Sequence, residues 1–245
     1  MKTLSSAAEL AQPTPRSEVR KRFAADGKLL QRFAKRSFDV IAAFVGLIVL
    51  APVFAAVAFA VWARMGRPVL FRQVRAGRNQ RPFRLLKFRT MTNDREPNGE
   101  LRPDTERLTR LGRFLRSSSL DELPQLVNVL AGDLSLVGPR PLPMRYLPRY
   151  TSRQNQRHSV RPGITGLAQV NGRNQLEWGQ RLELDVSYCE RISFWLDLTI
   201  LLATVREVAL RRGASDTGKS QEFWGTEGKP ANSPDSYPFD ENEMS

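Results

Sequence analysis

Residues 40–62 read VIAAFVGLIVLAPVFAAVAFAVW, without one charged side chain. Wound as a helix rising about 1.5 Å per residue, this run is about long enough to cross a hydrocarbon core roughly 30 Å thick. It predicts a membrane segment. Pro52 stands near its middle, where it removes a backbone donor and its ring meets the carbonyl of Ile48, so the helix should break or kink there. Lys35 and Arg36 precede the run, and Arg64, Arg67, Arg72, Arg75 and Arg78 follow it. Positive residues strongly favour the cytoplasmic side of a membrane, so both flanks are expected on that side. A re-entrant helix pair that dips into one leaflet meets both conditions, and a kinked full span is the competing reading. An arm of more than thirty residues precedes the run, unlike the start of a cleaved signal peptide, so the segment is expected to be retained.

Outward from this run the chain divides into four parts. Residues 1–34 form a basic arm, mobile or weakly helical, and 35–66 hold the membrane helix. Residues 67–212 carry the pattern of a compact, cytosol-facing domain, and 213–245 are a polar tail expected to be largely disordered. Val69–Val74 and Phe83–Phe88 read as two short strands joined by a Gly77-Arg78-Asn79 turn. Leu108–Leu115 and Leu120–Leu130 predict helices, the second with Leu123, Leu126, Val127 and Leu130 on one face before Gly132-Asp133 ends it. Arg181–Tyr188 and Phe194–Leu210 predict two more. In the latter, Phe194, Leu198, Leu201, Val205 and Val208 form a stripe that suits either the core or the membrane interface, with Trp195 and the terminal Arg211 and Arg212 favouring that boundary. The fold class is α+β, mainly helical, with short strands, one proline-broken re-entrant membrane helix and amphipathic interfacial helices.

A formal charge of +13, from 38 Lys and Arg against 25 Asp and Glu, points to an anionic partner: nucleic acid, lipid headgroups or a phosphorylated substrate. The basic residues are spread along the chain without the interleaved aromatics that stack bases, so no nucleic acid is expected. A single cysteine, Cys189, excludes an internal disulfide framework, and no Cys/His spacing suits zinc. The one histidine, His158, lies in a polar stretch and reads as a surface residue.

The sharpest chemical feature is Ser118-Ser119-Leu120-Asp121-Glu122-Leu123-Pro124-Gln125. Ser119 with Glu122 three residues on is a capping box, which would start a helix without any chemistry. The same geometry would place Asp121 and Glu122 on a first helical turn, where the macrodipole keeps carboxylates ionised. An ionised aspartate can attack phosphorus without a separate base, and a second carboxylate can help hold Mg²⁺. Both readings stay open on this stretch alone. Lys87 and Arg89 alternate with apolar residues in Leu86–Met91, which fits a half-buried strand as well as a phosphate site. Pro139 and Pro141 stiffen the loop around Arg140, giving either a rigid turn or a preorganised anion clamp. Arg161-Pro162-Gly163-Ile164-Thr165-Gly166 joins a cation to two glycines that permit close backbone approach.

Taken in order, Lys35–Asp39, the proline-broken segment, Lys87–Met91, Ser119–Gln125, Ser135–Pro141, Arg161–Gly166 and Leu184-Asp185-Val186 resemble the bacterial sugar transferases called monotopic phosphoglycosyl transferases. The likeness spans about residues 30–212. It implies a re-entrant membrane helix on the cytoplasmic face of the bacterial inner membrane, with UDP-sugar and polyprenyl phosphate as partners and a homodimer left open. Asp121 would attack the β-phosphate, release UMP and carry the phosphosugar to the lipid. Glu122, with Asp121, would bind Mg²⁺. Arg116 and Arg140 match positions tied to phosphate and nucleotide binding, and Lys87, Arg89, Pro139, Pro141 and Arg161 complete the expected substrate site. Many relatives carry serine before the membrane proline, where Ala51 stands here. The chain resembles the minimal catalytic form, without the extra transmembrane bundle of longer relatives. A membrane-tethered binder of nucleic acid or anionic lipid is the non-catalytic alternative.

Overall fold

The proline of the apolar run does bend the chain, but two residues ahead of itself. In the computed structural model, which describes residues 15–172, 176–210 and 223–225, helix α1 (Pro15–Val49) gives way at Leu50 to α2 (Ala51–Met65). Gln31–Val49 and α2 meet at 64°. Pro52 thereby falls in the first turn of α2, where a missing N–H deprives the helix of nothing. Among the described residues no single helix is long and apolar enough to cross a membrane, whereas this bent pair passes together on length and composition.

The chain forms two compact units, residues 1–38 and 39–245. Of the arm expected at 1–34, residues from Pro15 are helical and the rest lie outside the described part. Most of the expected tail, and Arg211 and Arg212, lie outside it too.

In the second unit the expected hairpin forms. Strands β1 (Leu70–Ala76) and β2 (Pro82–Phe88) pair antiparallel from Leu70↔Phe88 to Ala76↔Pro82, around a 3-10 turn at Arg78–Gln80. Short helices α3 (Asp104–Arg107) and α4 (Arg110–Ser117) follow; Thr109 breaks the expected helix and caps α4, its hydroxyl accepting from the Gly112 N–H at 2.9 Å. Next come α5 (Gln125–Ala131), strand β3 (Ser135–Val137), α6 (Ser152–Asn155), strand β4 (Gly163–Thr165), paired parallel to β3, and α7 (Leu167–Val170). Helices α8 (Trp178–Arg191) and α9 (Phe194–Ala209) complete the fold close to where the periodicity put them.

Three apolar clusters fix the framework of the cleft. Val57 and Val61 of α2 pack with Phe88 and Leu115, so the second half of the bent pair is seated on β2 and α4. Ala43 of α1 packs with Leu85, Val129 and Leu134. Val137, Tyr188 and Ile200 join β3 to α8 and α9, and the single Tyr188 O–H is shared between Asp197 at 2.7 Å and the Val137 carbonyl at 3.0 Å. Polar side chains finish what the short strands leave unpaired. Asn128 accepts from the Leu86 N–H at 3.0 Å and donates to the Arg84 carbonyl at 2.8 Å, acting as a strand partner for β2. Asp39, 2% exposed, accepts from the Ser135 hydroxyl and the Leu136 N–H at 2.8 and 3.1 Å.

The expected tail is not wholly detached. Phe223 is buried with Leu142, Tyr146, Tyr150 and Leu182 in a further apolar cluster.

Candidate active site

The acidic pair does not open an α-helix. Leu120–Glu122 form a 3-10 turn, and Ser119 before it is left-handed (φ 57°) and makes no side-chain cap, so the expected capping box is absent. Pro124 explains the break: an α-helix tolerates proline only in its first turn, so α5 must start there and Leu120–Leu130 cannot be continuous. Field from the surrounding cations, rather than a helix dipole, acts on the carboxylates.

Three elements bring those cations together. The last residues of β2 supply Lys87, whose Nζ lies 2.7 Å from Glu122 Oε1 and 4.0 Å from Asp121 Oδ2. The loop after β3 supplies Arg140, whose Nη2 donates to the same Glu122 oxygen at 2.9 Å. The end of α4 supplies Arg116, whose Nε donates to the Thr90 hydroxyl at 3.1 Å. All three cations face one cleft of about 2300 Å³, which Lys87, Arg116, Asp121, Glu122 and Arg140 help to line.

The neighbouring carboxylates therefore differ. Burial alone would push Glu122 up, but the charges of Arg140 and Lys87, and hydrogen bonds from both, hold it well below the usual carboxylate range. Asp121, 6% exposed, is pushed up to about 6, chiefly by burial and further by Glu122, against the opposing pull of Lys87, Arg116 and Arg140. The expectation that a helix dipole keeps both ionised is corrected on this point: Asp121 titrates near 6, is mostly ionised at neutral pH, and carries a poorly solvated charge.

The loop of Arg140 is built rigidly from behind. At Gly138 a Cβ would meet the Arg161 carbonyl at 2.5 Å, and at Gly163 it would meet the Gly138 nitrogen at 2.1 Å, so only glycine lets β3 and β4 approach this closely. The Pro139 carbonyl accepts from the Gly163 N–H at 3.0 Å. Buried Arg157 donates to the Arg140 carbonyl at 2.7 Å and, through Nη2 and Nε, to Asp185 Oδ2 at 2.6 and 3.1 Å. Pro141 is buried and lines the cleft beside Arg140.

Two expected substrate residues have other partners. Arg161 Nε donates to the Gly132 carbonyl at 2.9 Å, tying the end of α5 to β4, and Arg161 does not line the cleft. Arg89 is buried along the cleft wall and donates to the carbonyls of Met91 at 2.8 Å and Met65 at 3.1 Å, fastening the end of α2 to the domain. His158 is buried rather than on the surface. It packs beside the Tyr150 ring at 5.4 Å, and burial, with help from Arg157, pushes it down to about 4, so it stays neutral.

Comparison with known proteins fits this framework. A sequence model described as bacterial sugar transferase matches residues 30–211. The chain belongs to the bacterial sugar transferase family. This sugar transferase is 53% identical over 183 residues to an uncharacterized sugar transferase, EpsL, of Bacillus subtilis, covering 75% of this chain and 91% of the relative. It is 42% identical over 191 residues to the UDP-glucose:undecaprenyl-phosphate glucose-1-phosphate transferase of Klebsiella pneumoniae, and 38% identical over 204 to the undecaprenyl-phosphate galactose phosphotransferase of Salmonella typhimurium. Those matches cover 74% and 76% of this chain but only 41% and 43% of the two relatives.

Two residues that frame the sugar transferase's cleft have tasks that the sequence does not spell out. Asp39 and Asp185 stand inside motifs, yet their tasks, holding β3 and holding Arg157, depend on partners 96 and 28 residues away. The available signal for Asp185 is a carboxylate at helical spacing from the buried Leu182 and beside Val186, where an unpaired charge would be costly.

Proposed function

We propose that the protein transfers a sugar-1-phosphate from a UDP-sugar to a polyprenyl phosphate, with Asp121 as the nucleophile. The carrying observation is the unequal treatment of two adjacent carboxylates: Glu122 is clamped by Lys87 and Arg140, while Asp121 is buried and raised to about 6 at the edge of an arginine-lined cleft. A carboxylate oxygen of Asp121 attacks the donor's β-phosphorus. The bond from that phosphorus to the bridging oxygen breaks, and UMP leaves with the electron pair. A phosphate oxygen of the polyprenyl acceptor then attacks the same phosphorus and displaces Asp121, giving a polyprenyl diphosphate sugar and restoring the carboxylate. Lys87, Arg116 and Arg140 sit where they can offset the charge of the phosphoryl group and of departing UMP. Starting glycan assembly in this way suits a bacterial cell surface polymer or glycoprotein.

The residues present suit Mg²⁺. Asp121 and Glu122 offer hard oxygens in one cleft, the donors that an ion held by one or two carboxylates together with substrate phosphates would use. Bound there, Mg²⁺ would supply further charge neutralisation at the phosphates.

Exposed apolar side chains support the lipid half of the reading. Ile41, Phe44, Ile48, Phe59 and Trp62 on the bent pair, and Trp195, Leu202 and Val205 on α9, are at least half exposed, large apolar side chains that a lipid phase would cover. With arginines on both flanks, the pair is read as re-entrant, and the catalytic unit as lying on the cytoplasmic face.

The test is UMP release by nanodisc-held protein with Mg²⁺ and a panel of UDP-sugars. One sugar should give acceptor-dependent turnover that Asp121→Asn abolishes. Turnover by that variant, or none with any nucleotide-sugar, would remove the assignment; salt-sensitive lipid or nucleic-acid binding without chemistry would favour the non-catalytic binder.

A further inference from the structure

Arg181, on the first turns of α8, lines the same cleft but has no part in the chemistry above. Its guanidinium lies over the Trp178 ring at 4.4 Å, and Nη2 donates to the Leu176 carbonyl at 3.1 Å. Its Nε is buried without a hydrogen-bond partner. Burial and the nearby charge of Arg140 both disfavour its own charge, and Asp185, whose Oδ2 is held by Arg157 and whose Oδ1 makes no hydrogen bond, offsets them only in part. Arg140 has Glu122 as its partner, whereas Arg181 faces the same cleft with one donor unmet, and an anion in the cleft would offset its charge.

What holds Arg181 in place comes from the far end of the chain. Trp178 packs at 5.2 Å against Phe223, which lies beyond α9, is 2% exposed, and also meets Tyr146 at 5.6 Å and Tyr150 at 5.4 Å. Arg149 donates to the Phe223 carbonyl and spreads its guanidinium over the Trp224 ring at 4.7 Å. Phe223, Trp178 and Arg181 thus form one stack leading from the docked segment to the cleft, and both Tyr146 and Trp178 line that cleft.

We propose that Arg181 binds a phosphate of the nucleotide-sugar donor, and that the segment Phe223–Gly225, docked in cis, is a positioning element that presets Arg181 through Trp178. This rests on the transferase reading. The donor, rather than the lipid acceptor, is indicated because the aromatic rings around Arg181 belong to α8 and the loop after β3, whereas the exposed apolar faces that meet lipid belong to the bent pair and α9.

The test uses the full chain in nanodiscs, with UDP as the binding probe and steady-state kinetics on the donor that wild type uses. Arg181→Gln should weaken UDP binding by about tenfold or more, the ordinary effect of losing a charge-assisted contact. Phe223→Ala should raise donor KM severalfold with kcat and acceptor KM kept, and Phe223→Tyr should restore most of the loss. Trp224→Ala, which leaves the Phe223 ring in the core, should show a smaller rise in donor KM and serves if Phe223→Ala does not fold. An active wild type whose Arg181→Gln and Trp224→Ala variants bind UDP within twofold of it would overturn this inference alone, as would a change confined to acceptor KM. A wild type that neither binds UDP nor releases UMP would overturn the transferase reading as well.

Discussion

Replacing Asp121 with asparagine should make the protein inactive and more stable at once. The folded protein lifts this carboxyl from an ordinary 3.8 to about 6, mainly by burial. At about 1.4 kcal/mol for each tenfold change in acidity, keeping it ionised in the fold costs about 3 kcal/mol. The sign follows from proton binding. Between pH 3.8 and 6 the unfolded chain has lost the proton that the folded protein retains, so wild-type stability falls across that window and the full penalty applies above it. Asparagine removes the charge and the penalty together. Thermal unfolding of detergent-held protein at pH 7.5 should therefore show the variant melting roughly 6–12 °C higher, taking 2–4 °C per kcal/mol for a chain of this size. Near pH 4.5 the gap should shrink to about a third, because wild type is then largely protonated in the fold. Equal or lower stability of the variant at pH 7.5, or a gap that ignores pH, would refute the claim that Asp121 is a desolvated carboxylate.

Glu122→Gln should do the opposite, lowering stability by about 1–2 kcal/mol after discounting for the half-exposed Arg140, since it strips Lys87 and Arg140 of their shared anion; paired melting curves of the two variants would check the contrast. The rate at low donor concentration should climb roughly tenfold per pH unit below about 6 and level off above 7, as Asp121 ionises; a profile flat from pH 5 to 8 would contradict its role. Asp185→Ala should cost about 3–5 kcal/mol by leaving Arg157 buried and unpaired, and should loosen the Arg140 loop, seen as lost thermal stability together with a raised donor KM.

The sequence was legible where local rules decide. Periodicity located β1, β2, α8 and α9, and the proline and charge-free run announced the bent pair, displaced only because a helix can place proline in its first turn. Lys87, Arg116, Asp121, Glu122 and Arg140 were singled out by motif order and do converge. Local rules failed at Ser119, where a capping box was spelled out but the left-handed backbone and Pro124 prevented it. They failed again at Arg161 and Arg89, whose guanidiniums are taken by backbone carbonyls that only the tertiary fold brings near, and at His158, whose polar neighbours in sequence gave no sign of its burial. Phe223 fell within the stretch assigned to the polar, largely disordered tail, and its neighbours in sequence gave no sign that its ring finds a site between Tyr146 and Trp178.

The decisive measurement is intact and peptide mass spectrometry of the protein mixed with its donor sugar nucleotide and Mg²⁺, without lipid acceptor. The account predicts a single sugar-phosphate increment on Asp121, formed with an equivalent of UMP and discharged when polyprenyl phosphate is added. Efficient transfer to the lipid with no such adduct, or an adduct on any other residue, would contradict it.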